Sequence, residues 1–64
     1  MVQYEIRFFN YSDLVIGTDH FRAETDDIAK GFAARIFRNP FGRGHELWDG
    51  ERLVHHELYR NSIH

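Results

Sequence analysis

Val2-Gln3-Tyr4-Glu5-Ile6-Arg7-Phe8-Phe9 decides the fold. Val2, Tyr4, Ile6 and Phe8 fall at every second position, with Gln3, Glu5 and Arg7 between them. Successive side chains of an extended chain point to opposite faces, so this segment predicts a strand with one apolar and one polar face. Phe9 breaks the rule by putting an aromatic ring on the polar side. Asn10-Tyr11-Ser12-Asp13 follows, a cluster of residues that favour turns. A second strand is expected over Leu14–Glu24, with Phe21 and Ala23 inward and Gly17 at a bulge or close approach. Val15 is assigned to the core.

Thr25-Asp26-Asp27 announces a helix. The Thr25 hydroxyl is suited to cap the first free N–H groups, and the two carboxylates oppose the positive end of the helix dipole. Ile28, Ala29, Phe32, Ala33, Ile36 and Phe37 recur at three- and four-residue spacing and form the apolar half. Lys30, Gly31, Ala34, Arg35 and Arg38 form the outer half. Asn39-Pro40 ends the helix, because the residue before proline avoids the α region. Phe41-Gly42-Arg43-Gly44 reads as a loop, His45–Trp48 as a third strand and Glu51–Tyr59 as a fourth. Asp49-Gly50 is a strong hairpin signal, expected to form the turn. That register puts His45, Leu47, Val54, His56 and Leu58 on one face. It puts Glu46, Trp48, Leu53, His55, Glu57 and Tyr59 on the other. Residues 61–64 are expected to be a loose tail.

The expected fold is therefore one α+β domain over residues 1–60, a four-stranded, mainly antiparallel sheet with one helix packed on one face (ββαββ). Two strand orders satisfy the connections. Order 2-1-3-4 is fully antiparallel and buries the most apolar strand in the middle. The other places the third strand beside the second through a right-handed crossover.

Composition bounds the function. The chain has 64 residues and no cysteine, which leaves neither disulfides nor thiolate chemistry and fits a reducing compartment. Met1 is followed by neither a basic run nor an apolar segment, and no apolar run approaches the ~20 residues of a membrane span. A cytoplasmic protein without membrane contact is expected. The net charge of −2 is unevenly spread. Residues 28–44 carry Lys30, Arg35, Arg38 and Arg43 and no acid, while both flanks are acidic. Those four cations are the candidate anion or nucleic-acid contact, on the solvent side of the helix and the following loop. The overall negative charge argues against that partner, and bases near a helix C-terminus also serve its dipole.

Catalytic constellations are poor. Ser12, Thr18, Thr25 and Ser62 lack the strand–turn–helix setting of an activated nucleophile. Asp26/Asp27 and Glu46/Glu57 are better explained by the helix dipole and a solvated sheet face than by acid–base work. Gly42-Arg43-Gly44 matches no phosphate-binding pattern. Among the five histidines, His45 and His56 are expected on one face, close enough diagonally to share a metal, yet no HxH or HxxxH spacing supports it. No enzyme activity, cofactor or metal is assigned.

One helix covers only one face of a four-stranded sheet. The other is expected to expose Phe9, Trp48, Leu53 and Tyr59, and an exposed aromatic cluster on a sheet marks a contact surface. A second copy of the chain is the expected partner, through the open face or an edge strand, with another protein as the alternative occupant.

Three segments, Tyr4-Glu5-Ile6-Arg7-Phe8-Phe9, the Asp26-Asp27 helix opening with its spaced alanines, and Glu46-Leu47-Trp48-Asp49-Gly50-Glu51-Arg52-Leu53-Val54, resemble small uncharacterised bacterial proteins classed as domains of unknown function. The resemblance implies the two-hairpin layout and no activity.

Overall fold

A computed structural model describes residues 1–35 and 42–59. The elements run β1 (Val2–Phe9), β2 (Val15–Ala23), α1 (Asp26–Arg35), β3 (Gly44–Asp49) and β4 (Arg52–Leu58). The four strands form one antiparallel sheet in the order β2-β1-β3-β4. The strand with the cleanest alternation is thus central, paired on both sides, as the fully antiparallel expectation requires. Ile36, Phe37, Arg38 and the tail over 61–64 lie outside the described residues.

Local chemistry explains the joints. Asn10 Oδ1 accepts from the backbone N–H groups of Ser12 (2.8 Å) and Leu14 (3.1 Å). Asp13 takes the left-handed conformation at φ 61°, which closes the β1–β2 turn. The Ile28 N–H donates to Thr25 Oγ1 at 3.2 Å and the Ala29 N–H to the Thr25 carbonyl, so Thr25 caps α1. In the second hairpin Asp49 pairs with Arg52, which makes Gly50-Glu51 the two-residue loop. Only Gly50 of that pair has positive φ (61°), the pattern of a type II′ turn. The expected Asp49-Gly50 loop is off by one residue.

The core lies between the sheet and α1. Tyr4, Ile6, Phe8, Ala23, Ala29, Ala33 and Leu47 are buried together, with Val2, Phe21 and Val54 half-buried against them. Ile6 pairs with Leu47 and Tyr4 with Phe21 across the ladders, so β1 supplies the spine of this layer. Ala29 and Ala33 stand one helical turn apart and let the backbone of α1 sit close to the sheet. The helix therefore contributes small residues where large ones are expected. Ile28 is 46% exposed and Phe32 40%, the latter touching Phe21 at 5.9 Å between ring centroids. Asp26 ties helix to sheet. One oxygen accepts from the Tyr4 hydroxyl at 2.7 Å, and both accept from the Arg52 guanidinium at 3.0 and 3.1 Å.

Two bulges overturn the face assignments at the sheet's outer strands. Phe8 pairs with Gly17 but Phe9 with Val15, so Ile16 is the extra residue of β2. Val15 is carried to the uncovered face and is 58% exposed. Trp48 pairs with Leu53 but Leu47 with His55, so Val54 is the extra residue of β4. Beyond it the two faces exchange. His55, Glu57 and Tyr59 join the helix face, while His56 and Leu58 turn to the open one.

Candidate interaction face

Residues opposite one another in an antiparallel ladder share a face. Glu5 is flanked by Trp48 and His20, Arg7 by Glu46 and Thr18, and Phe9 by Gly44 and Val15. Glu46 faces His56, Trp48 faces Leu53 and Gly44 faces Leu58. All of these occupy the face away from α1.

Trp48 is the centre of that face and is held in place. The Arg7 guanidinium lies over the indole at 4.7 Å from the ring centroid, and the indole Nε1–H donates to Glu46 Oε1 at 3.2 Å. Glu5 pairs with Arg7 on one side and with His20 Nε2, at 3.3 Å, on the other. The Arg7 hydrogen bond, helped by His20, holds the Glu5 carboxyl below its usual range. Glu5, Arg7, His20, Glu46 and Trp48 are thus bonded to one another, and exposed Val15, Leu53 and Leu58 lie on the same face as exposed Gln3, Thr18, Arg22 and His56. Leu53 is 47% and Leu58 50% exposed. Formal charge on the face cancels, with Glu5 and Glu46 against Arg7 and Arg22. At its β1–β2 end a cleft of about 250 Å³ is lined by Phe9, Asp13, Val15, Glu46 and His56.

Of the four residues assigned to this surface from sequence, Phe9, Trp48 and Leu53 are on it. Phe9 forms its floor: it is buried, with the His56 ring at 5.4 Å. Tyr59 is elsewhere. The Val54 bulge turns it to the helix face, where its hydroxyl lies 2.7 Å from His45 Nδ1. Leu58 and Val15 belong to the open face and were not assigned there by sequence, because both depend on bulges that alternation does not reveal; Arg7, the polar neighbour of Phe9, was expected on that face and is on it.

The other candidates separate. His45 and His56 are on opposite faces, so they cannot share a metal, and among the described residues no three His, Cys, Asp or Glu side chains converge as a metal site. In the basic stretch, Lys30 pairs with Asp27 at 3.7 Å and Arg43 with Asp13 at 2.8 Å. Arg35 stands at the end of α1, next to a groove it lines with Ile28, Gly31 and Phe32. Arg38 lies outside the described residues. No described helix is long and apolar enough to cross a membrane.

No protein family, curated protein or solved structure matches this chain.

Proposed function

We propose that this chain is a cytoplasmic, non-enzymatic protein-interaction module that self-associates as a homodimer through the open sheet face. The observation that carries the reading is the Trp48 patch. A large ring, pinned between Arg7 and Glu46, is bordered by exposed Leu53 on a surface whose charges cancel. In a two-fold dimer each patch meets its own copy. A surface of one sign would repel itself there, and a neutral one does not.

The sheet edges are poorer sites. β2 carries the Ile16 bulge and turns Asp19, opposite Ile6, toward the helix side. β4 carries the Val54 bulge and four charged or imidazole side chains, Arg52, His55, His56 and Glu57. Bulges and inward charges are the devices that stop strands from pairing edge to edge. Specific dimers bury about 800 Å² per partner. Against a total surface of 4760 Å², that is a contact the size of a sheet face rather than of a single side chain.

Sedimentation equilibrium at micromolar concentration tests this. The wild-type chain is expected at twice its 7.7 kDa mass. Leu53→Glu is expected to sediment as a monomer with an unchanged circular dichroism spectrum. A wild-type monomer at that concentration, or a Trp48→Ala variant with unchanged mass and stability, overturns the reading.

A further inference from the structure

His45 is the one polar side chain buried completely among the described residues, at 0% exposure. It points to the helix side from β3, paired with Phe8 of β1 and Glu57 of β4. Its Nδ1 lies 2.7 Å from the Tyr59 hydroxyl and the two rings are 5.4 Å apart. Its Nε2 is shut off from solvent and has no hydrogen-bond partner among the described residues. Orphaned buried N–H groups are rarer than under-used acceptors. The geometry therefore favours the tautomer with the proton on Nδ1, donating to Tyr59, and a bare lone pair on Nε2. Tyr59 also closes the strand end, since its backbone N–H donates to the Arg43 carbonyl at 2.8 Å.

We propose that His45 is a proton-operated latch for the C-terminal end of β4. While neutral, it holds Tyr59 against β3; once protonated, it releases that end. A second proton has to go on Nε2, where it meets no described acceptor and puts a charge among Phe8 and the core. Among the described residues, the titratable groups facing His45 are on β4 and at Tyr59 just beyond it. Glu57 is opposite but is hydrogen-bonded to His55 Nε2 at 3.1 Å, and the His55 ring stands 6.4 Å from His45. His56 lies on the other face, and the β1 residues beside His45 on this side are the apolar Phe8, its ladder partner, and Ile6. Burial pushes the His45 imidazole below its ordinary 6.5, against the pull of Glu57 and with the repulsion of His55 and His56. An opened state in which His45 meets water binds the proton at the ordinary value. Opening is therefore favoured as pH falls below 6.5, by at most about tenfold per pH unit, and levels off once the closed form is protonated too. This inference concerns one strand end and does not rest on dimerisation.

Amide exchange and imidazole nitrogen shifts, followed by NMR on the whole chain from pH 7.5 to 5.0, test it. At pH 7.5 His45 is expected as the Nδ1–H tautomer. Below 6.5 the Tyr59 amide should lose protection by up to about tenfold per unit after correction for intrinsic exchange, while β1 amides keep theirs. His45→Gln should remove the pH step, and His56→Gln should keep it. Should His45→Gln not fold, Tyr59→Phe serves, with weak β4-end protection at every pH. Flat Tyr59 protection across the range, or a step that persists without the His45 imidazole or the Tyr59 hydroxyl, overturns the latch.

Discussion

Asp26→Asn isolates the hub where helix meets sheet. The Asp26 carboxylate accepts the Tyr4 hydroxyl proton, and that bond, with burial and the nearby negative charge, pushes the Tyr4 phenol up to about 12. The substitution should return Tyr4 toward 10, read as tyrosinate absorbance in an alkaline titration. The same hub sets both pH limits. Arg52 first, then Tyr4, hold the Asp26 carboxyl below its ordinary 3.8. A depressed carboxyl adds stability that is lost as pH falls through the folded value, so acid unfolding should move to higher pH in Arg52→Ala, followed by circular dichroism. Tyr4 acts with the opposite sign, because its proton leaves the unfolded chain near 10 and the folded one near 12, and stability falls across that interval. Sequence reading reached features that close within a few residues, such as the Thr25 cap and the turn over Asn10–Asp13. It read Asp26 only as a dipole partner. The Arg52 contact joins positions 26 apart, and no local pattern encodes which distant cation arrives there.

The β3–β4 hairpin is where elements and sequence pattern part. Turn chemistry marked the bend correctly, because a glycine at positive φ is needed there, but not which residue pair closes it. Alternation then failed along Leu53-Val54-His55-His56-Glu57-Leu58-Tyr59, where apolar and polar residues occupy both parities and nothing marks Val54 as extra. Deleting Val54 should therefore be tolerated. Leu53 still faces Trp48 and His55 still faces Leu47, so the His45–Tyr59 nuclear Overhauser contact should survive at the expense of one half-buried valine. Gly44 has no such latitude. A Cβ there would collide with the Glu57 carbonyl oxygen and come within 3.1 Å of Leu58 Cα, both backbone. Gly44→Ala should destabilise by about 1–3 kcal/mol, the usual range for overpacking, measured by urea denaturation.

At the scale of the molecule the layout was legible and the size of the core was not. β1 announced itself as central through its alternation from Val2 to Phe8, and the helix through its cap and spacing. Yet the inner side of α1 is alanine, with Ile28 and Phe32 half out in solvent. Periodicity gives the direction of a helix face but not how closely it lies on the sheet. Among the described residues so few large side chains are fully enclosed that each matters. Leu47→Ala should remove about 2–5 kcal/mol, a large part of the 5–15 kcal/mol typical of whole domains, and a thermal melt should show most of the chain unfolded at 37 °C.

The interior place of β1 has a consequence for the order of events on the ribosome. Its neighbour β2 follows at once, but its other neighbour, β3, ends at Asp49, so one side of β1 waits, unzipped, until β2, α1 and β3 have all been made. A nascent chain halted after α1 would display that raw margin to every other copy nearby. Translation speed from α1 to the end of β3 therefore governs how long newborn molecules can entangle, a hazard that rests on topology alone.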